Sequence, residues 1–595
     1  MLWKVKKKIT VSNAQELVSA VESADSGEDG DVEIILSDGT YYLTSPLTVS
    51  NNTNRITIKA AKDATPVISG NVNISGSSFN KVPGKNYYSY TIPGAPKFRD
   101  LYLNGKLLKL ARSGNYTFQR NNDGNCFFVN NAVSELVGDA GSLEICLDIE
   151  WMQKHYRVDS ITSGSDYDRL SIKPEDWYAY TYYDGNKYNF TGRTYHFENH
   201  LSLLDEPGEF YYDGTTGTVY FYPFSDTDMA NAVISYPATE KLFDLHNSSN
   251  ITIDGLSFTG VTSNFTSEHG FNGGQGGSHD WLDSVEAQKG DSAFFYGKEN
   301  TLAGFDSLQI PSAAIYSFNS SELTVKNCNF YELGSNGINL SGFNYNAAVN
   351  NNVFNGLSMS AIVIGNRRDL WTRENGQTFI TVNGNCIDGI GREYACCTAI
   401  IIGAVKNYSV VHNTVRNTPQ TAIGVGIFTD TDGKGINIMN AEIAYNYCDD
   451  NMMNSNDGGG IYFCGSNDLI KNRGIYNRIH DNYVTGDSEA RTYTGIYLDA
   501  NCSNTHVYNN VIEGIVTSHQ PVFNQDVVPS QYTHNNIVEN NYTTGMGISE
   551  NTIDNKYDPK ADYGYRNVIV RNNTFSDTLG SAAIGIKNNA GSKLA

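Results

Sequence analysis

Short runs of alternating apolar and polar residues dominate this 595-residue chain. Beyond residue 320, a strand pattern of the type apolar-x-x-Asn-x-apolar recurs at irregular intervals that average about 30 residues. Constant strands separated by loops of variable length are typical of a solenoid. Because stacked asparagines can hydrogen-bond along such an axis, we expect these residues to share one turn. The repeated asparagines are Asn329, Asn352, Asn385, Asn413, Asn446, Asn482, Asn510, Asn541 and Asn573.

A second strand follows the asparagine in several repeats, as in Gly337-Ile-Asn-Leu-Ser and Gly495-Ile-Tyr-Leu-Asp. Period-two alternation predicts that one isoleucine column faces the core. The column comprises Ile338, Ile362, Ile400, Ile423, Ile461 and Ile496. The outward positions that follow are Ser341, Gly365, Gly403, Gly426, Cys464 and Asp499. Small residues in such a column predict a groove on the outside of the solenoid, with a carboxylate at its end.

The first 240 residues have a different pattern. Residues 9–24 predict an amphipathic helix capped by Ser12 or Asn13, which would cover the open end of a solenoid. From 86 to 240 the chain is rich in tyrosine and charge, and Gly208–Pro223 has a strand–turn–strand pattern. We therefore predict an all-β, right-handed parallel β-helix. It divides into 1–85 (cap and first rungs), 86–240 (inserted, sandwich-like antiparallel β domain) and 241–595 (main β-helix with the groove).

Composition narrows the classes of partner. The net charge of -22 argues against nucleic acid, and it favours neutral over polyanionic substrates. The nine cysteines are an odd number without a visible disulfide framework, which predicts a reducing compartment or an anaerobic setting. They also lack metal-site spacing, so we expect no bound metal. No apolar run reaches the ~18 residues of a membrane span. Residues 1–8 lack the apolar core of a signal peptide, so we expect a cytoplasmic protein unless a leader was removed.

Two related phrases carry the strongest candidate chemistry. They are Asp457-Gly-Gly-Gly-Ile-Tyr-Phe and Thr494-Gly-Ile-Tyr-Leu-Asp499, and each follows an asparagine-bearing strand. Cleavage of a glycosidic bond usually needs two carboxyl groups, which makes Asp457 and Asp499 the first pair to consider. The alternative is that both residues are structural, with Asp457 forming a turn and Asp499 lying at the solvated end of a strand. If the two strands superpose, Asp457 aligns with Thr492, roughly 23 Å of extended chain from Asp499. The pair therefore requires the chain before the glycines to bend back across the groove.

Further residues are candidates for binding a substrate. Glu393 precedes a strand that faces the same groove, and it is the alternative partner of Asp499. His519 and His534 could bind sugar hydroxyls, although single histidines are more often structural. Tyr462, Tyr497, Trp281 and Trp371 could stack on sugar rings. The remaining acids near the groove are more often solvated loop residues; they are Asp430, Asp432, Asp487 and Glu489.

An ordered set of motifs resembles a known enzyme family. The set comprises Leu101-Tyr-Leu-Asn-Gly-Lys, Glu206-Pro-Gly-Glu-Phe-Tyr-Tyr-Asp, Asp457-Gly-Gly-Gly-Ile-Tyr and Ile496-Tyr-Leu-Asp. Over roughly residues 10 to 580 the chain resembles glycoside hydrolase family 141 and, more distantly, the family 120 β-xylosidases. The resemblance implies a β-helix hydrolase whose two catalytic aspartates fall on Asp457 and Asp499. The family 120 acid/base glutamate has no counterpart in Ile515-Val-Thr-Ser-His-Gln, which weakens the β-xylosidase assignment.

The leading hypothesis is a glycoside hydrolase acting on neutral plant or host glycans that contain xylose, fucose or arabinose. We expect this enzyme to need no cofactor or metal. Its partner would be an oligo- or polysaccharide, and it would bind neither nucleic acid nor a membrane. A homo-oligomer is also compatible with the sequence. A polysaccharide lyase is one alternative, with Arg367, Arg368, Arg392 and Arg491 as candidate cationic groups. A non-catalytic glycan-binding solenoid is the other, and it would carry aromatic side chains without an acid pair.

Overall fold

The structure is a computed structural model, and it describes most of the chain. The described residues are 7–27, 30–130, 138, 140–149, 152–180, 189–273, 281–282, 308–309, 311–365, 377–403, 405–426, 439–455, 457–464, 475–486, 494–499, 502–514, 522–526, 536–544, 548–552, 569–576 and 584–587. Within them, no helix combines the length and apolar character needed to cross a bilayer.

Three long parallel sheets, named A, B and C, form the body of the molecule, with 13, 12 and 12 described strands respectively. Sheet A contains Lys7–Val11, Val32–Leu36, Ile56–Ala60, Ile251–Asp254, Thr324–Lys326, Ala348–Asn350, Gln377–Asn383, Val405–Val411, Met439–Ala444, Asn477–His480, Thr505–Tyr508, Ile537–Glu539 and Ile569–Arg571. Sheet B contains Thr40–Tyr42, Val67–Ser69, Ser257–Thr259, Asn329–Tyr331, Val353–Asn355, Cys386–Asp388, Thr414–Arg416, Tyr447–Asp449, Tyr483–Thr485, Val511–Glu513, Tyr542–Thr544 and Thr574–Ser576. Sheet C contains Leu47–Ser50, Phe243–His246, Ala313–Phe318, Asn336–Ser341, Ile362–Ile364, Ile400–Ile402, Ile423–Val425, Gly459–Phe463, Thr494–Leu498, Val522–Asp526, Ile548–Thr552 and Ile584–Lys587.

Each rung passes from sheet A through sheet B to sheet C, and the core lies between the three sheets. The isoleucine column of sheet C pairs rung to rung in the predicted register, and all six side chains are fully buried. A stack of phenylalanines, Phe258, Phe330 and Phe354, fills the core behind sheet B. These columns explain the repeated apolar pattern, and the prediction of an all-β parallel β-helix is confirmed.

The asparagine ladder forms at the turn between sheets A and B. Asn352 Nδ2 donates to Asn385 Oδ1 at 3.0 Å, and the same bond is repeated in every step to Asn573. These buried amides therefore satisfy one another. The assignment of Asn329 to the ladder is wrong. Asn329 pairs with Val353 in sheet B, and Cys328 occupies the ladder position, donating its backbone N–H to Asn352 Oδ1 at 2.9 Å.

Helix α1 (Ala14–Asp25) covers the first rungs, as predicted. Asn13 caps the helix, accepting from the backbone N of Glu16 at 3.0 Å, while the Glu16 carboxylate accepts from the backbone N of Ser12 at 2.8 Å. This reciprocal pair satisfies two donors at the start of the helix. Its buried residues are Leu17, Ala20, Val21 and Ala24. They cover the end of the core, which a solenoid would otherwise expose.

Largely antiparallel sheets are inserted within one rung, between Val67–Ser69 of sheet B and Phe243–His246 of sheet C. Sheet D contains Asn71–Ser75, Tyr102–Leu103, Lys106–Leu107 and Val233–Pro237. Sheet E contains Asn80–Lys81, Tyr88–Thr91, Lys109–Leu110, Glu209–Asp213 and Thr218–Phe221. Sheet F contains Tyr116–Thr117, Cys126–Val129, Glu144–Ile149, Met152–Thr162, Asp168–Ile172, Thr194–Glu198 and Phe271–Gly273. The predicted hairpin near residue 214 is confirmed in sheet E.

The remaining described elements are short helices, 3-10 turns and one pair of strands. They are α2 (Pro174–Tyr180), α3 (Phe265–His269), the two 3-10 turns Gly76–Ser78 and Leu201–Leu203, and the strand pair Trp281–Leu282 and Leu308–Gln309. The strand Phe271–Gly273 leaves the β-helix to pair with Met152–Thr162 of the insert. The first antiparallel strand begins at Asn71, inside the proposed 1–85 segment, so the division at 86 and 240 stays a proposal about domains.

Candidate active site on the outer face of sheet C

Asp499 directly follows the sheet C strand Thr494–Leu498. Its backbone N donates to Phe463 O at 2.8 Å, which continues the strand pairing by one residue. Since Leu498 faces the core, the Asp499 side chain lies on the outer face. Only 5% of Asp499 is exposed, and Tyr462 Oη donates to its Oδ2 at 2.5 Å. A short hydrogen bond to a carboxylate oxygen is strong, so this side chain has a fixed position.

Two tyrosines and a cysteine surround this carboxylate. The rings of Tyr462 and Tyr497 meet edge to face, with centroids 5.4 Å apart, and Cys464 completes a small buried cluster. Burial and the nearby charge of Asp499 raise the pKa of Tyr462 well above its usual value, as they do for the pKa of the Cys464 thiol. Tyr462 therefore keeps its proton and acts as a donor. The predicted stacking of Tyr462 and Tyr497 on a sugar stays a prediction for these buried rings.

Asp457 lies before the preceding sheet C strand and is half-buried. Gly459 pairs with Thr494, so the two sheet C strands superpose as assumed in the sequence analysis. Counted along the sequence, this alignment matches Asp457 with Thr492, and an extended chain would place Asp457 far from Asp499. However, the pKa of Tyr497 is raised well above its usual value. Burial is the largest cause, and the negative charges of Asp499 and Asp457 add to it. Both carboxylates therefore act on one phenol.

The glycines after Asp457 allow this close packing. A Cβ on Gly459 would lie 3.0 Å from Tyr497 Cβ, and one on Gly460 would lie 2.6 Å from Val484 Cγ1. Side chains at these two positions would push against the tyrosine on one face and the core on the other. The glycine run is thus explained by packing between rungs as well as by the turn.

Glu393 lies elsewhere, at the junction with the insert. Arg99 Nε donates to Glu393 Oε1 at 2.6 Å, while the rest of the guanidinium forms two bonds to Glu144, at 2.6 and 2.8 Å. Burial raises the pKa of Glu393 to about 8, although Arg99 opposes the shift. The loop that contains Glu393 leads into the sheet C strand Ile400–Ile402. That strand is three rungs before the strand that precedes Asp499. Three steps of the strand spacing are about 14 Å, which disfavours Glu393 as the partner of Asp499.

Some of the predicted site residues lie outside the described part of the chain. His519, His534 and Trp371 lie outside the described residues, as do the loop acids and Arg367, Arg368 and Arg491. Trp281 begins a two-residue strand that pairs with Leu308–Gln309. Arg392, a candidate of the lyase alternative, has its Nη1 2.6 Å from Glu332 Oε2. The roles of Trp281, Trp371, His519, His534 and Glu393 in substrate binding stay predictions.

Sequence reasoning missed a buried cluster on sheet F. Glu144 and Cys146 lie on one strand, His155 on the next, and His196 and Glu198 on a third. Each strand alternates these side chains with apolar ones, such as Ile145 and Phe197. In the sequence, ionisable residues at every second position of an otherwise apolar strand were the signal that could have identified this cluster.

Comparison with known proteins confirms the fold. A solved structure described as a glycoside hydrolase is 17% identical over 97% of this chain and 96% of its own, with a TM-score of 0.57. PfbA, a surface adhesin of Streptococcus pneumoniae, is 13% identical over 97% of this chain and 89% of its own, with a TM-score of 0.38. A family 28 exopolygalacturonase from Yersinia enterocolitica is 10% identical over 96% of this chain and 78% of its own, with a TM-score of 0.35. No protein-family model matches the chain, and neither does any curated protein.

Proposed function

We propose that this protein is a glycoside hydrolase that cleaves a neutral oligo- or polysaccharide with Asp499 and Asp457. The observation that carries the proposal is the fixed carboxylate of Asp499. Tyr462 holds this carboxylate at the end of a column of small residues. Besides burial, the charges of Asp499 and Asp457 both raise the pKa of Tyr497, which supports placing Asp457 near the same site. Hydrolysis of a glycosidic bond requires two carboxyl groups in fixed positions, one as acid and one as base or nucleophile.

The two aspartates have different roles. Asp499 is the nucleophile or the base that activates water, because its backbone is paired and its side chain accepts a strong hydrogen bond. Asp457, half-buried ahead of the glycine run, is the proton donor. The stereochemical outcome follows from their separation when substrate is bound. Carboxyls ~5–5.5 Å apart retain the configuration of the sugar, and carboxyls ~6.5–9.5 Å apart invert it.

The class of substrate is inferred from charge and resemblance. A chain with a net charge of -22 disfavours polyanionic glycans, which points to neutral sugars. The motifs that resemble families 141 and 120 suggest xylose, fucose or arabinose. The neighbour with a TM-score of 0.57 bears the description of a glycoside hydrolase, and this agrees with the proposal.

A panel of aryl-glycosides of xylose, fucose, arabinose and galactose tests the proposal, followed by variants assayed on the best substrate. We expect Asp499→Asn and Asp457→Asn each to lower kcat by at least ~10²-fold, because general acid–base catalysis contributes that much. Asp63→Asn, which changes an exposed turn acid, is the matched control and should leave kcat unchanged. Near-wild-type turnover by Asp499→Asn would refute the assignment. Unsaturated uronate products would indicate a lyase, and binding without any product would indicate a glycan-binding protein.

A further inference from the structure

One face of sheet F is polar and yet buried. The opposite face packs Ile145, Leu147, Tyr156 and Phe197 into the core of the insert. The polar face carries Glu144, Cys146, His155, His196 and Glu198, all of them buried. It packs against the β-helix, where the backbone N of Ala395 donates to Gln153 Oε1 at 2.9 Å and the ring centroid of Tyr394 lies 5.2 Å from that of His155. Ionisable groups removed from water in this way need strong partners.

The strand register brings metal-ligating atoms together on this face. Cys146 lies opposite His155 on one neighbouring strand and opposite His196 on the other. The ligand atoms of Cys146, His196 and Glu198 lie within 4.8 Å of one another, and so do those of Glu144, His155 and Glu198. Cys146 Sγ is 3.0 Å from His155 Nδ1, and Nδ1 is 4.0 Å from Glu198 Oε2. His196 Nε2 lies 2.8 Å from Glu198 Oε1, so the two groups are joined through Glu198. Ligand atoms around a tetrahedral zinc ion are about 3.3–3.8 Å apart, so these side chains would adjust their positions on binding the ion.

We propose that Cys146, His155, His196 and Glu198 bind a structural zinc ion that fastens the insert to the β-helix. Thiolate and imidazole ligands favour zinc over magnesium or calcium. One thiolate and one carboxylate neutralise the charge of a divalent ion. Glu144 is not a ligand of this site, because both of its oxygens accept from Arg99.

Two unsatisfied atoms support a bound ion. Glu198 Oε2 and His196 Nδ1 are buried and have no hydrogen-bond partner in the described part of the chain. Glu198 is 5% exposed and His196 is 4% exposed, so bulk water does not solvate them freely. Buried polar atoms are nearly always satisfied, and those that are not need an explanation such as an ion. A cation coordinated by Glu198 would satisfy its carboxylate oxygen.

The orientation of His155 also fits a ligand. Gln153 Oε1 accepts from the backbone N of Ala395, so it acts as an acceptor towards His155 Nε2, which lies 3.1 Å away. His155 therefore has its proton on Nε2 and presents the lone pair of Nδ1 to Cys146 Sγ. A histidine whose second nitrogen is held in this way is typical of metal sites. The alternative without an ion is a thiol that donates to Nδ1.

Metal analysis of the purified full chain, dialysed against buffer with micromolar zinc and then against metal-free buffer, tests the proposal. We expect about one zinc ion per chain in the wild type, and at least a tenfold loss of bound zinc in Cys146→Ser and Glu198→Gln. Cys386→Ser, which alters an exposed cysteine, is the control and should retain the ion. Far-ultraviolet circular dichroism identifies any variant that fails to fold, and His196→Gln then replaces it.

Cobalt(II) provides a second readout that does not depend on enzymatic activity. Cobalt bound at this site should give a thiolate charge-transfer band in the wild type and in Cys386→Ser, and none in folded Cys146→Ser. The proposal is overturned if the wild type binds neither zinc nor cobalt. It is also overturned if folded Cys146→Ser binds zinc as tightly as Cys386→Ser does, because the ion would then be adventitious.

Discussion

Buried carboxyl groups in two regions of this molecule are stabilised in opposite ways. At the junction, Glu144 and Glu393 share the guanidinium of Arg99, which forms two hydrogen bonds to Glu144 and one to Glu393. On sheet C, Asp499 is held by the neutral hydroxyl of Tyr462 and has the acid Asp457 in its vicinity. A paired charge fixes two parts of the chain together. A carboxylate held by a neutral donor keeps its negative charge available, which suits a reactive group better than a structural one.

Loss of Arg99 should have the largest effect. Arg99→Met leaves Glu144 and Glu393 buried without their cation, and we expect a loss of ~3–5 kcal/mol in the free energy of unfolding. Chemical denaturation measures it. Lys97→Met removes an exposed ion pair with Glu268, so it should change stability little. Equal effects of the two substitutions would show that the junction does not depend on paired buried charge.

The packing behind the candidate site can be tested at Gly460. In Gly460→Ala the new Cβ would meet Val484 Cγ1 at 2.6 Å, so we expect a loss of ~1–3 kcal/mol from overpacking. Gly114→Ala is the matched control, because a Cβ there meets no atom within 4 Å. Thermal denaturation compares the two variants. A stable Gly460→Ala protein would contradict the packing explanation for the glycine run.

The hydroxyl of Tyr462, which donates to Asp499, can be removed without changing the rest of the side chain. Tyr462→Phe keeps the ring and removes the hydroxyl, and we expect kcat to fall roughly tenfold, since a hydrogen bond to a charged group contributes ~1.5–3 kcal/mol. Without this donor the ionised form of Asp499 is less favoured, so the acidic limb of the pH–rate profile should move to higher pH. Tyr447→Phe removes a similar bond, Tyr447 Oη to Asp449 Oδ2 at 3.0 Å, on sheet B. It should change neither quantity, and an unshifted profile in Tyr462→Phe would contradict the role of the hydroxyl.

The smallest expected effect is the dependence of stability on pH at the junction. Burial raises the pKa of Glu393 to about 8, so the folded state binds a proton that the unfolded chain releases near its ordinary value. Stability should therefore fall as the pH rises from the ordinary pKa of a glutamate to about 8, with part of this fall above pH 7. Asp100, whose pKa burial raises to about 6, contributes at lower pH. Glu393→Gln should flatten the slope above pH 7, as measured by denaturant titration, and an unchanged slope would assign it to another group.

The parts of the fold that follow from local repetition could be predicted from the sequence. The isoleucine column and the asparagine ladder depend on period-two alternation and a recurring residue, and only the shift from Asn329 to Cys328 was missed. Contacts between distant segments left no such pattern. Arg99 and Glu393 are 294 residues apart, and the cluster on sheet F depends on strand pairing within the insert. The proposed pairing of Asp457 with Asp499 depends on a turn whose path the spacing of residues does not define.

The asparagine ladder also has a direction. From Asn352 to Asn573, the amide nitrogen of each asparagine donates to the oxygen of the next one along the chain. A ribosome delivers these rungs in the same order, behind a start that α1 already covers. Each completed rung thus presents an unmet donor to the asparagine that is synthesised next. A rung that stacked out of register would leave this buried donor without an acceptor, so the ladder selects a single register for the stack.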